Sequence, residues 1–326
     1  MIISPDSQAM LLLCSQIGLT IDTELKPLTL REWNPLARKL SLLSWRPGDL
    51  LGLEANDLQK HLEISEENAK RFSKLLMRGG GLAIDLERLA NLGIHPLTRV
   101  ETDYPQRYRD RLKDSAPAVL FYSGNKELLG QPGLAVVGSR NLDDVGRSCA
   151  EFVGNACGFS GLVLYSGGAR GVDTISMKAA LENRGFIVGV LADSLEKTIR
   201  KPEYRSALSK GDACFVTNYH PSAGFSVGAA MGRNRLIYTL ADYAIIVASD
   251  VEKGGTWAGA TEALKANWLP VFVLEHPSMP QGNRVLLSKG ANSLPFPLPV
   301  HPADLKHWLD EHIISKNPQN TQPSLF

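Results

Sequence analysis

Between residue 134 and about residue 298 the chain alternates short, continuous apolar runs with longer helix-period stretches. This alternation limits the fold more than any other feature. The runs fall at 134–137, 162–165, 186–191, 214–217, 243–248 and 271–274, and helical patterns cover 145–159, 171–184 and 259–268. Runs without an apolar–polar alternation belong to strands buried on both faces, with the intervening helices as crossovers. The expectation is an α/β fold, a doubly wound and mostly parallel sheet covered by helices on both sides. Ligands of such sheets bind beyond the carboxyl ends of the strands, where the strand order reverses.

Glycine-rich turns fall on that edge. Ser166-Gly167-Gly168-Ala169-Arg170-Gly171-Val172-Asp173 joins the run at 162–165 to a helical pattern through Met177, Ala180 and Leu181. A glycine-rich turn that opens a helix aims backbone N–H groups outward at the positive end of the helix dipole, which favours phosphate. Arg170 adds a fixed cation with forked donors suited to a phosphodiester. Gly138-Ser139-Arg140 repeats the theme after the run at 134–137. Two such turns on adjacent βα units predict a ligand with more than one phosphate. Two basic clusters also follow strands on this edge: Lys197, Arg200, Lys201, Arg205 and Lys210, then Arg233-Asn234-Arg235 behind Gly224, Gly228 and Gly232. Charge runs are usually solvated faces; position is what makes these two candidates.

The remainder of the chain is plainer. Residues 1–95 read as a small helical domain, with helix-period apolar positions at Leu11, Leu12 and Ile17, at Leu36, Leu40 and Leu43, and at Ala69, Phe72, Leu75 and Leu76. Ser65-Glu66-Glu67 reads as a helix start and Gly79-Gly80-Gly81 as a stop. The stretch 93–117 reads as an extended connector leading into a second domain at 96–299. Residues 300–326 carry a short amphipathic helix with Leu305, Trp308, Leu309 and Ile313 on one side, then a polar, proline-containing tail that reads as unstructured. Hydrophobic residues at 44% and charged residues at 21% fit a soluble globular protein. No apolar run approaches the ~20 residues of a membrane helix, and the N-terminus lacks a signal pattern, so the expected location is the cytoplasm. The formal net charge of +1 decides nothing, because local basic patches bind nucleic acid on a neutral whole. Cys14, Cys149, Cys157 and Cys214 lack metal-type spacing and read as reduced core residues; no metal or cofactor is expected.

From about Gly93 to Leu294 the chain resembles the DNA-processing protein A family (DprA, also called Smf). The resemblance is carried by Tyr104-Pro105, by Val137-Gly138-Ser139-Arg140 and by Ser166 to Asp173 against S-G-L-A-R-G-I-D. It continues with Arg233-Asn234-Arg235-Leu236-Ile237 against R-N-R-I-I, and with Gly282-Asn283 to Gly290-Ala291 against G-x-N-x-L-I-x-x-G-A. Each piece is short; their order and spacing together are specific. The resemblance implies an extended Rossmann-like fold that binds single-stranded DNA, protects incoming strands in natural transformation and loads the RecA recombinase, often as a homodimer. A helical N-terminal module of the SAM or helix-hairpin-helix kind also fits the family. The resulting candidate phosphate-contact set is Gly138, Ser139, Arg140, Ser166, Gly167, Gly168, Arg170, Gly171, Arg233, Asn234, Arg235, Gly254, Gly255, Thr256 and Asn283. Lys197, Arg200 and Lys201 are expected to widen the groove.

Departures from the family pattern bear on function. The family's A-H after the glycine turn reads Ser176-Met177, its acidic residue after the fifth strand reads Ala248-Ser249, and its S-G-S/A-L-I-T-A turn reads Gly254 to Ala260. Residues 219–232 diverge, and the stretch after Val300 is too short for the family's optional winged-helix domain. These differences point to a specialised relative, with phage or mobile-element defence as a role beside DNA processing. A second reading makes the glycine turns a receptor for a small nucleotide, as the antitoxin or sensor of a defence system with a toxin partner. A third compares Lys253 to Glu262 with the P-G-G-x-G-T-x-x-E of Lonely-Guy-type phosphoribohydrolases. Here the proline is missing and Glu262 lies one residue further along, which turns its side chain by ~100° on a helix. With no Ser-His-Asp, HExxH or paired-acid spacing, binding without chemistry is the expectation, and no catalytic residue is assigned.

Plainer readings compete at individual positions. Glycines permit tight βα turns anywhere. Asp173 reads as structural, holding its loop through backbone N–H groups; Asn234 reads equally as the cap of a following helix, and Asn283 as the pin of a turn. Trp257 either stacks a base or packs against the helix that follows. Gln322-Pro323-Ser324-Leu325-Phe326 resembles the bacterial sliding-clamp-binding peptide Q-L-S/D-L-F, with Gln322 at a groove entrance and Leu325 and Phe326 in an apolar pocket. A chance five-residue match is the competing reading.

Overall fold

The computed structural model describes residues 3–19 and 25–313. The chain opens with α1 (Pro5–Cys14), α2 (Leu30–Leu42), α3 (Ala55–Leu62), α4 (Glu66–Leu76) and α5 (Gly79–Asn91). Local chemistry sets their starts. Ser4 accepts the Ser7 N–H ahead of Pro5 in α1, and Ser65 accepts the Asn68 N–H ahead of α4. The run Ala9 to Leu13 is buried on every side, and Arg78, just ahead of α5, donates to the Leu12 carbonyl within it and to the Ile17 carbonyl beyond it.

The sheet follows: β1 (His95–Thr98), α6 (Gln106–Leu112), β2 (Val119–Gly124), β3 (Gly133–Val137), α7 (Asp144–Ser160), β4 (Val163–Ser166), α8 (Val172–Glu182) and β5 (Phe186–Val190). It continues with α9 (Leu195–Thr198), α10 (Pro202–Lys210), β6 (Ala213–Thr217), α11 (Val227–Leu240), β7 (Tyr243–Ile246) and α12 (Gly254–Ala266). β8 (Val271–Glu275), α13 (Gln281–Ser288), β9 (Asn292–Pro295) and α14 (Leu305–Glu311) complete it. All nine strands form one sheet in the order β1-β2-β6-β5-β4-β3-β7-β8-β9. β1 and β2 are antiparallel additions at one edge, and every pair from β6 to β9 is parallel. This is the expected doubly wound sheet. Its order reverses between β3 and β7, which makes their carboxyl ends the crevice of the fold.

Three parts of the chain depart from the expectation. The stretch read as a connector holds β1 and α6, and β2 follows it where no strand was expected; Pro96 sits in β1, an edge strand, where a missing N–H breaks no interior ladder. β9 carries too few apolar residues to show as a run. Gly228 and Gly232, read as part of a glycine-rich lead to Arg233, lie inside the long helix α11, which starts under a Ser226 cap that accepts the Ala229 N–H. Asn234 therefore lies mid-helix and caps nothing. The apolar cluster on one face of the sheet runs on into α1, α3, α4 and α5, so the helical region and that face share one core. Among the described residues no helix is long and apolar enough to cross a membrane. The cysteines are free; burial pushes the Cys149 and Cys157 thiols up to about 12, so they sit in the core as protonated apolar groups.

Candidate nucleic-acid interface

Two hollows adjoin at the crevice, of about 410 and 550 Å³. The first lies between the Gly138-Ser139-Arg140 turn, the start of α12 and the start of α11; the second lies over the Gly167–Arg170 turn and Asp193. Arg140, Ala169, Phe225, Ala230 and Arg233 line both, so this group forms the ridge between them.

The two glycine turns differ in construction. After β3, Ser139 donates its N–H to the Ala248 carbonyl at 2.9 Å and accepts from the Val172 N–H at 3.4 Å, so the turn is bolted to both neighbouring units. Gly138 is fixed by proximity: a Cβ there meets the Val172 side chain, and the Ala248 nitrogen at 3.2 Å. α7 does not open directly from this turn. Its cap is Asp143, five residues beyond Gly138, which already accepts the Gly146 N–H at 2.8 Å.

After β4 the loop folds around a carboxylate. Asp173 Oδ2 accepts the Gly167 N–H at 3.1 Å and the Ala169 N–H at 3.2 Å. Those N–H groups are therefore committed inside the loop, which corrects the expectation that they face a phosphate. Gly171 has φ +94 and a Cβ there would lie 2.5 Å from the Ser139 carbonyl oxygen, so the loop needs glycine at this point. Burial raises the Asp173 pKa and the nearby Arg233 opposes that rise.

Arg233 is 5% exposed. Its Nη1 donates to the Gly167 carbonyl at 2.7 Å and to the Val190 carbonyl, and its Nε donates to Asn234 Oδ1 at 3.1 Å. It is a post beneath the loop, with its forked donors largely spent on the protein. Arg235 lies two residues on, ~200° around the helix; it lines neither hollow, and its buried Nε finds no partner among the described residues. Ser166 is fully buried and donates to the Val136 carbonyl at 2.7 Å. Asn283 is fully buried: its Oδ1 accepts the Ser249 N–H at 2.9 Å and its Nδ2 donates to the Val247 and Leu274 carbonyls at 3.0 Å. Arg233, Ser166 and Asn283 spend their donors on the protein and build the crevice, which corrects the expectation that these donors wait for a ligand, and Arg235 lies outside both hollows.

Arg140 and Arg170 are exposed, and neither is ion-paired among the described residues. Arg170 Nη2 donates to Asn141 Oδ1 at 3.4 Å, and the Arg140 guanidinium lies 5.4 Å from the Phe225 ring centre. Gly254, Gly255 and Thr256 form the first turn of α12 and face the first hollow, with Lys253 as a cap that makes no side-chain bond. A helix start with a lysine beside it is the anion-favouring element of this crevice. Of the outer basic cluster, Lys197 and Lys201 are exposed and line neither hollow, and Arg200 turns toward the opposite, amino edge of the sheet. Trp257 is half-buried against the apolar cluster on the other face of the sheet, which includes Ala260, Ala263 and Val271, so it packs.

The sequence reading missed Lys253, Phe225, Val227 and Met231. Phe225, Val227 and Met231 are 54%, 69% and 46% exposed at the mouth of the first hollow, an unusual concentration of bare apolar side chains. An aromatic residue isolated among Gly224, Ser226 and Gly228 was the available signal. Asp173, Asp193 and Asp250 also line the hollows and offset part of their positive charge. Among the described residues no cluster of His, Cys, Asp and Glu has the form of a metal site. Gln322, Leu325 and Phe326 lie outside the described residues.

The family described as DNA recombination-mediator protein A matches residues 95–297, and the chain belongs to it, a family of DNA processing proteins. The DNA processing protein DprA of Streptococcus pneumoniae is 34% identical over 140 residues, 43% of this chain and 49% of that protein. The putative DNA processing protein DprA of Mycobacterium tuberculosis is 29% identical over 220 residues, 64% of this chain and 55% of that protein. The chain thus spans about half the length of the curated relatives it matches. The crystal structure of the S. pneumoniae protein superposes with a TM-score of 0.67 at 23% identity, covering 90% of this chain and 95% of that one. A Helicobacter pylori DprA structure described for its single-stranded DNA binding mode superposes with a TM-score of 0.55 at 24% identity, covering 67% of this chain and 97% of that one.

Proposed function

We propose that this protein binds single-stranded DNA across the paired hollows and does no chemistry on it. The observation that carries the reading is the convergence of Arg140, Arg170 and Lys253, exposed and without an ion pair among the described residues, with the open start of α12 at the strand-order reversal. Phe225 adds a stacking face on the ridge between the hollows, braced by Arg140. Asp173 is consumed by its loop, and Glu262 is exposed on α12 without lining either hollow, while Asp193 and Asp250 line separate hollows. The family membership and the named property of the H. pylori protein support the same reading. Within it we assign a role in strand protection or recombinase loading, a homodimer as the working form, and clamp recruitment through Gln322, Leu325 and Phe326.

Anisotropy of a labelled oligothymidylate across a salt series tests this. Arg140→Ala and Arg170→Ala should each lower the slope of log affinity against log salt by about 0.7. Phe225→Ala should weaken binding by about 1–3 kcal/mol with no change of slope. No binding by the wild type refutes the function; unchanged slopes in both arginine variants refute the site. The small-nucleotide reading is favoured by one observation, the division of the crevice into separate hollows of nucleotide size. A mononucleotide that raises the melting temperature where oligonucleotides do not would establish that alternative.

A further inference from the structure

We infer a second phosphodiester contact at the amino edge of the sheet, where Arg200 and Arg205 hold the continuation of a DNA strand seated on the glycine turns. This inference rests on the single-strand reading above. Gly124, at the end of β2, pairs with Cys214 near the start of β6, which fixes that point as the amino end of the parallel strands. A hollow of about 400 Å³ lies there, with Gly93, Ser123 and Gly124 on one wall and Arg200, Arg205 and Ser209 on the other. It shares no lining residue with the hollows at the carboxyl edge.

Charge separates this hollow from its neighbour across α10. The other face of α10, toward α8, lines a cavity whose Lys178 and Lys210 are matched by Glu182, Glu203 and Asp212. Among the described residues no carboxylate lines the Arg200–Arg205 hollow. Both arginines are exposed, and among the described residues neither enters an ion pair, whereas nearby Arg88 is engaged by Glu196 at 3.0 Å. Lys201 is held over the Tyr204 ring at 5.9 Å. Two guanidinium forks without partners, in an acid-free concavity, suit backbone phosphates. The route between the edges is short. Asp193 lines the carboxyl-edge hollow and Arg200 the amino-edge one, with the exposed Lys197 between them in sequence. β6 is five residues long, so the edges lie about 16 Å apart.

The test uses the whole chain with oligothymidylates of about 5 and about 20 nucleotides, a range bracketing common single-strand site sizes. For Arg200→Ala/Arg205→Ala the long strand should lose roughly tenfold in affinity and about 1.4 in salt slope, while the short strand is unaffected. Arg205→Glu alone should weaken long-strand binding further, and an unshifted melting temperature in each variant certifies the fold. Wild type binding both lengths with an unaffected double variant overturns the inference. So does an equal loss on both lengths, which assigns these arginines to the first groove. Failure of the wild type to bind either length overturns the single-strand reading itself, and this track with it.

Discussion

The two glycine turns of the crevice look alike as sequence and work differently as structure. Gly138-Ser139-Arg140 is held from outside, by the Ala248 carbonyl, the Val172 N–H and the van der Waals surface of Val172. Gly167 to Gly171 is held from inside, by the carboxylate of Asp173 with Arg233 beneath it. A glycine-rich turn before a helix is therefore not automatically an anion nest. Its N–H groups are available only if no side chain of the same chain has taken them. The first turn contributes shape and a projecting arginine, the second a rigid platform and another arginine, and the free helix start lies on α12.

The largest expected effect comes from emptying the inside of the second turn. Arg233→Ala leaves the Gly167 and Val190 carbonyls without their donor and removes the cation that offsets the burial of Asp173, which keeps only its loop N–H groups. Chemical denaturation should show a loss of about 3–5 kcal/mol, since each buried carbonyl left unsatisfied costs about 1–3 kcal/mol and the offset to Asp173 is lost as well. The same substitution at Arg140 or Arg170, on the surface, should stay within about 0.5 kcal/mol. Comparable stability losses at all these arginines would break the distinction between post and contact.

A smaller effect is expected from the outside-held turn. Gly138→Ala places a Cβ against the Val172 side chain and 3.2 Å from the Ala248 nitrogen, an overpacking that should cost about 1–3 kcal/mol by thermal or chemical denaturation. Single-strand affinity should fall with it, because Arg140 rides on that turn. Gly168→Ala is the contrasting variant. It has φ +67, but a Cβ there meets nothing nearer than Leu191 at 3.4 Å, so its penalty is only that of the left-handed backbone, about 1–2 kcal/mol. A Gly168 loss exceeding the Gly138 loss would show that backbone conformation, and not proximity, governs the crevice.

How far all this was legible follows from particular residues. β3 to β8 were visible because each is buried on both faces and so writes an unbroken apolar run. β1, β2 and β9 were not: Pro96 and Asn292 give the edge strands a polar or turn-like signature, and β2 ends in the polar Ser123-Gly124 and is followed by no crossover helix pattern. α11 was hidden by Gly224, Gly228 and Gly232, which lower helix propensity while α6 and α12 pack against it and override the local preference. The exposed arginines of the turns were readable from spacing. The fate of Arg233, Asn283 and Ser166 was not, because a buried donor committed to carbonyls far along the chain has the same letter as one that waits for phosphate. Arg233 and Gly167 are 66 residues apart, and nothing local links them.

The smallest effect concerns the charge inside the second turn and reads it most directly. Burial holds the Asp173 pKa above its unfolded value, while Arg233 pulls it back; Asp193 is a further acid in the field of Arg233. A carboxyl with a raised folded pKa binds its proton more tightly in the native state, so its contribution to stability grows as pH falls. The window runs from the raised folded value down to the ordinary aspartate range near 3.8. Asp173→Asn keeps an oxygen to accept the Gly167 or Ala169 N–H and removes the titration. Wild-type stability should therefore improve relative to Asp173→Asn on acidification through that window, measured as the difference between their denaturation midpoints at each pH. A difference that shifts the other way would mean that Arg233 and the loop N–H groups more than repay the desolvation of the carboxylate. In that case the second turn is an anion nest after all, with Asp173 as its resident anion.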